Sequence, residues 1–415
     1  MSQPETRKIN APSITENVTV YRWLVLAMNT ALQGMQSLIS TSTGVLAPFI
    51  IADLGLTKSM IGFAGGAVHI GMGFTAILAG RLTDKHGEKI VLILGGILAG
   101  LAIILTSRSA SFFVFVALLL LTGILSAGAT PAGSKAIVKW FPPEKQGLAL
   151  GIRQTGVTLG GFTGSLLLPF IALNWNWRLA LVTAGIIFIL GCIGFFFTYK
   201  SKPADQQPAQ DKKTEDSIDK WSFLNDSNIW FIMAVAILYQ GAQYIMITYL
   251  ALYVRDTLNV SVATAALCLT ATQLGGMSAR IGLGYVSDTL LRGARKPILV
   301  IQGFVIIFVA LTLLTFNEHT PLWLALIVSW FFGMSAMGWN GLYVALLTKT
   351  AGQARGGAAV GLGVSMIQIG TFCFPPLFGL MIDLSGSYFI SWSFLAAMIS
   401  LGMLLFLKIH EPAHP

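Results

Sequence analysis

The sequence is poor in charged residues. Asp, Glu, Lys and Arg make up 10% of its 415 residues, whereas an ordinary soluble domain contains about 25%. Hydrophobic residues reach 55%, and the mean hydropathy is +0.75. This composition excludes a typical soluble domain and indicates a protein that crosses a membrane many times.

Cysteine and nucleotide-binding patterns are also scarce. Cys192, Cys268 and Cys373 fall in apolar runs, and none is spaced from another residue as a metal site requires. No glycine run has the Gly-Lys-Ser ending of a phosphate-binding loop. We therefore expect no disulfide, no metal, no cofactor and no direct use of ATP.

The apolar runs that remain are long enough to cross a hydrocarbon core about 30 Å thick. We expect an all-α membrane protein with twelve transmembrane helices in two six-helix bundles. The predicted spans are 22–50, 59–82, 88–108, 111–138, 145–172, 177–199, 228–256, 261–288, 296–316, 320–348, 353–383 and 386–408.

One long polar connection divides the spans six and six. It is rich in Lys, Asp, Gln and Pro, a composition that cannot bury enough apolar surface to fold. The predicted organisation is a cytoplasmic tail (1–21), a first bundle (22–199), a cytoplasmic linker (200–227), a second bundle (228–408) and a cytoplasmic tail (409–415).

Lysine and arginine are distributed unevenly over the two sides of this topology. Twenty lie on the side that holds both termini and the linker, whereas only Lys58, Arg108, Arg178 and Arg255 lie on the other. The positive-inside rule therefore places both termini in the cytoplasm, with the protein in the cytoplasmic (inner) membrane. The net charge of +9 follows from this topology and gives no support to nucleic-acid binding.

No Asp or Glu lies near the middle of a predicted span, yet Arg153 and Arg280 do. An arginine at a helix centre costs about 2.5–3.5 kcal/mol even on the lower scale, so each needs an anion, a cavity or water beside it. At 1.5 Å per residue, both lie about 12 Å from the cytoplasmic face. The pair predicts an anion site; the alternative is that either arginine pairs with backbone carbonyls and serves a gate.

Other polar residues within the spans complete the candidate site. His69 lies at mid-depth, and a modest change of environment moves a histidine between charge states near neutral pH. It is a candidate for proton coupling or substrate sensing, although a hydrogen-bonded packing role is the alternative. Simple interhelix hydrogen bonding is equally open for the remaining candidates, which are Asn29, Gln33, Tyr239, Gln243, Gln273, Trp339, Asn340 and Tyr343.

The two halves repeat each other weakly. Gly80 precedes Asp84 by four residues after span two, and Gly284 precedes Asp288 by four after span eight, with basic residues following each. Six-span halves that repeat in parallel orientation are typical of transporters. The stretch Gly80-Arg81-Leu82-Thr83-Asp84-Lys85-His86-Gly87-Glu88-Lys89 also matches, except at Glu88, the loop motif of the major facilitator superfamily, which the whole chain resembles.

This resemblance implies a central cavity lined mainly by spans one, four, seven and ten. In the family the motif aspartate caps a helix end and pairs with cytoplasmic arginines to latch the outward-open state. By resemblance that gating role passes to Asp84 and Asp288, with Arg81 and Lys85 beside the first. Such proteins ordinarily act as monomers surrounded by membrane lipid.

Span eight carries a narrower resemblance. Arg280, Gly284, Val286, Ser287 and Asp288 are similar to the eighth span of oxalate–formate and monocarboxylate carriers, where an arginine at this place holds the substrate carboxylate. A guanidinium can engage a carboxylate through two parallel hydrogen bonds. The resemblance thus implies a secondary transporter for a small organic anion, with proton symport or anion exchange.

Three alternative functions have less support. A proton-driven drug exporter usually has an acidic residue inside the membrane and a Gly-Pro motif in span five, and neither occurs here. Nitrate carriers use arginines of spans two and eight, but span two presents His69. A receptor with a transporter fold lacks support because no signalling domain is appended. An enzyme is not expected, since His69 has no nucleophile or metal ligand near it in the sequence.

Overall fold

The computed structural model describes residues 14–200, 222–352 and 355–411, except for the side chains of 14–19, 143, 144, 281 and 288. The predicted tails and linker fall largely outside these residues. The described chain is helical throughout. Its α-helices are α1 (Ile14–Val45), α2 (Ala47–Leu54), α3 (Lys58–His86), α4 (Glu88–Thr106), α5 (Phe112–Ser126), α6 (Ala129–Trp140), α7 (Pro143–Asn174), α8 (Trp177–Thr198), α9 (Ser227–Leu258), α10 (Val262–Thr289), α11 (Lys296–Leu313), α12 (Leu322–Met337), α13 (Trp339–Ala351), α14 (Gly356–Ser385) and α15 (Tyr388–Lys408).

These helices form the twelve predicted spans. α1 begins eight residues before the predicted start of span one, and every other end of a span agrees with its prediction to within four residues. Three spans consist of two helices: α1 with α2, which meet at a bend of 52°, α5 with α6, and α12 with α13. The prediction of twelve membrane helices is therefore confirmed. α7 and α14 continue through Pro169, Pro375 and Pro376.

Short polar turns set the helix ends. The side chains of Thr57, Ser111 and Asn176 each accept a hydrogen bond from a backbone N–H in the first turn of the following helix. An N-cap of this kind satisfies one of the donors that a helix start leaves unpaired. At the opposite ends of helices, Gly55 and Gly386 adopt left-handed conformations with φ of 62° and 67°, which glycine adopts without strain.

The outer surface of the helices is apolar. Phe74, Phe197, Phe308 and Leu407 are among many large hydrophobic residues that point away from the protein. Such a surface requires hydrocarbon around it rather than water. The most buried long helix is α9, which lies at the centre of the second half.

Helices α1–α8 form the first half and α9–α15 the second. Their ends define two faces. The basic face is the one where α8 ends and α9 begins; the opposite face holds the α2–α3 and α14–α15 connections. The halves meet chiefly through α3 against α14 and α7 against α10, with α1 and α9 between them.

The halves are closed against each other toward the opposite face. Gly62 of α3 lies so close to α14 that a Cβ there would be 2.7 Å from the backbone of Pro375. Lys58 forms an ion pair with Asp256 at 3.2 Å, and Asp383 accepts hydrogen bonds from the backbone N–H groups of Lys58 and Ser59. We call Lys58, Asp256, Asp383 and Tyr388 the opposite-face latch.

The halves are separated toward the basic face. A Cβ added to Gly147 or Gly151 of α7, or to Gly282 or Gly284 of α10, would meet no atom within 4 Å. The same pair of helices is in close contact further in, where Gly161 packs against the side chain of Gln273. The space between the halves therefore opens to the basic face and ends near mid-depth.

Candidate functional site

Arg280 lies at the inner end of this open space. Its Nη1 donates a hydrogen bond across the interface to the backbone oxygen of Gln154, at 3.0 Å. Its Nε is buried without a hydrogen-bond partner. No carboxylate of the described residues forms an ion pair with it. The guanidinium thus keeps donor capacity and an unneutralised charge at the boundary between the halves.

Arg153 lies elsewhere. It is 3% exposed, and its Nη2 donates to the backbone oxygen of Ala129 at 3.0 Å, with a longer contact of 3.4 Å from Nη1 to Ser134 Oγ. Gly133 of α6 provides the room, because a Cβ there would be 2.6 Å from Nη2. The structure therefore holds Arg153 within the first half, paired with a backbone carbonyl, and does not bring it beside Arg280.

His69 joins the two halves at mid-depth. It is 6% exposed, and its Nδ1 lies 3.3 Å from the hydroxyl oxygen of Tyr244 on α9. The two rings meet edge to face with centroids 4.4 Å apart. Tyr244 in turn lies near Arg280. The structure thus places Tyr244 between His69 and Arg280.

Three of the predicted polar residues form one cluster. Gln243 of α9 accepts hydrogen bonds through Oε1 from Trp339 Nε1 and from Asn340 Nδ2, each at 3.3 Å. Trp339 and Asn340 begin α13 directly after the break at Gly338. The break therefore positions both donors against α9, and Asn340 remains partly exposed.

Other predicted residues have unused acceptors. Asn29 donates to the Val25 oxygen of its own helix and Gln33 donates to Gln36, but Asn29 Oδ1 and Gln33 Oε1 have no hydrogen-bond partner. The same is true of Gln273 Oε1, on the α10 side chain that packs against α7. These amide oxygens could accept hydrogen bonds from a hydroxylated ligand.

Two predicted residues lie inside the second half. Tyr239 is 1% exposed and donates to the Leu299 oxygen at 2.6 Å. Tyr343 is 3% exposed, with its hydroxyl unpartnered. Both line a small cavity of about 10 Å³ between α9, α11, α13 and α15, which has room for no more than one water molecule. Neither side chain is brought to Arg280.

The predicted gate residues lie on the basic face. Asp84 forms an ion pair with Lys135 of its own half at 2.8 Å, while Arg81 and Lys85 are exposed. The side chain of Asp288 lies outside the described part of the structure. No contact of Asp84 with the second half occurs among the described residues, in keeping with the separation of the halves at this face.

Sequence reasoning missed the opposite-face latch. Asp256 also accepts a hydrogen bond from the Tyr388 hydroxyl at 2.7 Å, and the Tyr249 hydroxyl donates to the oxygens of Lys58 and Pro375. These residues lie at span ends, where polar residues are ordinary. The only signal in the sequence was that Lys58 and Asp383 are among the few charged residues on that side.

Comparison with known proteins identifies the family. Residues 30–372 match the family model of the Major Facilitator Superfamily. The chain is 26% identical over 388 residues to a probable sulfoacetate transporter of Cupriavidus necator, covering 88% of each chain. It is 23% identical over 398 residues to a hexuronate transporter of Bacillus subtilis, covering 90% of this chain and 92% of the relative.

Solved structures share the architecture. The crystal structure of a D-xylose–proton symporter superposes with a TM-score of 0.78 at 19% identity, over 95% of this chain and 98% of the symporter. At this identity the likeness concerns the fold alone. With twelve spans in two halves and a family model that matches most of its length, the chain is a multi-pass membrane transporter that belongs to the major facilitator superfamily.

Proposed function

We propose that the protein is a secondary transporter that carries a small organic anion with a carboxylate group by alternating access. One observation carries the proposal: Arg280 lies at the boundary between the halves, at the end of the open space, with no acidic partner among the described residues. A guanidinium remains charged at all physiological pH values. An anionic substrate is the group that would neutralise it.

The geometry at Arg280 suits a carboxylate. Only Nη1 is occupied, by the Gln154 oxygen, whereas Nε has no partner. A carboxylate that approaches this edge could accept two parallel hydrogen bonds, which are stronger than neutral ones. Binding there would also bring the anion between α7 and α10, so that occupancy and the movement of the halves are coupled.

The surrounding residues contribute to the proposed site in different ways. Gln33, Gln273 and Asn340 offer amide groups to the rest of the substrate, and His69 lies across the interface. Arg153 adds positive potential and positions α6, because direct contact with a ligand would require it to leave its bond to the Ala129 oxygen. Tyr239 and Tyr343 lie inside the second half, where they hold α9 and α13 in position without contacting the substrate.

The names of the relatives agree with an organic anion. One is a probable transporter of sulfoacetate and another of hexuronate, and both compounds carry a carboxylate. The narrower pattern in span eight favours an acid of the oxalate, formate or monocarboxylate type. A cationic drug would place a positive charge against Arg280, and nitrate would leave the amide groups of the site unused.

The distribution of basic residues gives the orientation that we propose. With both termini in the cytoplasm, the space between the halves opens inward, and the opposite-face latch closes the outer side. A monomer in the cytoplasmic membrane is sufficient for this mechanism. Arg81, Lys85, Asp84 and Asp288 would then form the inner gate in the outward-facing state.

A thermal-shift screen of purified protein tests the proposal. The panel contains mono-, di- and hydroxycarboxylates, sulfoacetate, glucuronate, nitrate, phosphate and cationic drugs. A ligand at 100 times its Kd stabilises the folded protein by about 2.7 kcal/mol. The wild type is compared with Arg280→Ala and with Arg108→Ala, which removes an exposed arginine on the opposite face.

We expect one class of carboxylates to stabilise the wild type and Arg108→Ala but not Arg280→Ala. Stabilisation by cationic drugs that persists in Arg280→Ala would replace the proposal by a drug exporter. Stabilisation by nitrate alone would replace the organic anion by an inorganic one.

A further inference from the structure

The contact between His69 and Tyr244 leaves half of the imidazole unused. Nδ1 faces the Tyr244 hydroxyl at 3.3 Å, but Nε2 is buried and has no hydrogen-bond partner among the described residues. His69 is only 6% exposed. An unpartnered ring nitrogen at the interface of the halves is costly, unless a ligand pairs with it during the transport cycle.

The charged residues of α3 and of the helices packed on it lie far from His69 along the helix axes. On α3 itself Lys58 and Arg81 are eleven and twelve residues away, which is roughly 16–18 Å along the axis. The neighbouring α5 has no ionisable side chain, and α14 has Cys373 and, at its far end, Asp383. The charged residues of the other helices packed on α3 also lie near span ends: Glu16 and Arg22 of α1, Asp53 of α2, Glu88 and Lys89 of α4, Lys135 and Lys139 of α6, and Arg255 and Asp256 of α9.

The side chain that contacts His69 at mid-depth is that of Tyr244. Tyr244 is its hydrogen-bond partner, and the same Tyr244 lies near Arg280. When no anion is bound, we expect the charge of Arg280 to oppose a second positive charge on the imidazole. A carboxylate bound to Arg280 would cancel that opposition.

We propose that His69 carries the proton that accompanies the anion, so that anion binding at Arg280 and protonation of His69 are cooperative. This inference rests on the proposed function. Protonated imidazole donates from both nitrogens, so Nδ1–H would donate to Tyr244 and Nε2–H to the bound anion or to a group that the anion orders. The coupling is reciprocal: the anion raises the proton affinity of His69, and the proton raises the affinity for the anion.

The balance of charge gives the transport mode. His69 takes one proton from the outer solution when the site faces outward and releases it when the site faces the cytoplasm and the anion leaves. One monovalent carboxylate and one proton then cross together without net charge. Tyr244 is a positioning residue in this scheme because it holds the ring through Nδ1 but neither gains nor loses the proton.

Calorimetry on the purified full-length protein tests the inference. Sulfoacetate and glucuronate are titrated at pH 7 in triethanolamine and in Tris, two cationic buffers whose different ionisation enthalpies reveal the protons taken up per anion. Between pH 5.5 and 8 these acids stay ionised, so protonation of the ligand does not contribute. The variants are His69→Asn, His69→Gln and Tyr244→Phe, with His86→Asn as the matched control, an exposed histidine on the same helix.

We expect the wild type and His86→Asn to take up a fraction of a proton, at most one, with each anion, and to bind it more tightly as the pH falls. For one linked proton the affinity gain approaches about tenfold per pH unit. Both His69 variants should bind the anion without proton uptake and with affinity independent of pH. Tyr244→Phe should bind more weakly but retain proton uptake.

Anion binding by the wild type without proton uptake would overturn the inference and leave the proposed function intact. So would unchanged proton uptake in His69→Asn or His69→Gln. If neither His69 variant folds, the wild-type measurement alone decides. Binding that survives in Arg280→Ala would instead contradict the proposed function.

Discussion

The carboxylate of Asp383 caps the helix that begins at Lys58. Its two oxygens accept hydrogen bonds from the backbone N–H groups of Lys58 and Ser59 at 2.9 and 2.8 Å. The cap belongs to the second half and the helix to the first, so the interaction exists only while the opposite face is closed. Loss of a helix cap costs about 0.5–2 kcal/mol.

Replacing Asp383 should therefore shift the protein toward the state in which the opposite face is open. In Asp383→Ala we expect the ratio of open to closed molecules to rise by roughly 2- to 30-fold. Spin-label distances between the halves at that face measure the ratio. Asp53→Ala is the control, because the Asp53–Arg178 ion pair lies on the same face but within one half; an equal shift in the control would refute this role of Asp383.

Gly62 makes a second prediction at this interface. Gly62→Ala would place a Cβ 2.7 Å from the backbone of Pro375, whereas Gly65→Ala would meet only the Thr248 hydroxyl at 3.5 Å, an ordinary contact. We expect Gly62→Ala to hold the opposite face open and to slow transport, while Gly65→Ala behaves as wild type. Labelling by an impermeant maleimide of a cysteine introduced at this interface reports the opening. Similar labelling of both variants would contradict the close packing of Gly62 against α14.

Arg153 is expected to affect stability more than anion recognition. Arg153→Ala would remove the charged hydrogen bond to the Ala129 oxygen, at a cost of about 1.5–3 kcal/mol. Gly133→Ala should act in the same direction by displacing the guanidinium. The melting temperature of each variant should fall, while the additional stabilisation by the anion remains. A normal melting temperature combined with complete loss of anion binding in Arg153→Ala would show direct contact with the substrate.

Variants of Asp84 and Lys135 distinguish a gating role of Asp84 from a simple surface ion pair. Exposed ion pairs contribute about 0.2–1 kcal/mol, so breaking this one through either residue should change stability little and equally. If Asp84 latches the other conformation, Asp84→Asn should slow transport strongly and Lys135→Gln much less. Transport rates in proteoliposomes measure the difference, and equal rates for both variants would reduce Asp84 to a partner of Lys135.

The sequence predicted the spans closely because hydrophobic length is a property of a single helix. It also suggested Arg280 and His69 as candidate site residues, since a charged or titratable residue inside an apolar run is conspicuous by itself. Contacts between spans were beyond its reach. Helical spacing could not show that the Tyr239 hydroxyl is satisfied by the Leu299 oxygen, or that Gly133 makes room for Arg153 within the first half.

The same limit explains the missed latch. Lys58 and Asp256 are almost two hundred positions apart in the chain, and each is an ordinary residue for the end of a membrane span. Their pairing depends on how two halves of the chain meet. A sequence without internal acidic residues thus pointed to the arginine at which we propose that the anion binds, but not to the contacts that close the path to it.

The central claim is that Arg280 holds the carboxylate of the transported anion. Counterflow of labelled sulfoacetate or glucuronate into proteoliposomes tests it most directly, with wild type, Arg280→Lys, Arg280→Ala and Arg108→Ala side by side. Hydrogen bonds to charged groups contribute about 1.5–3 kcal/mol each, so we expect Arg280→Ala to fall to the level of empty liposomes. Arg280→Lys, which keeps the charge and loses the planar fork, should be at least about tenfold slower than wild type. Counterflow by Arg280→Ala at the rate of Arg108→Ala would contradict the account.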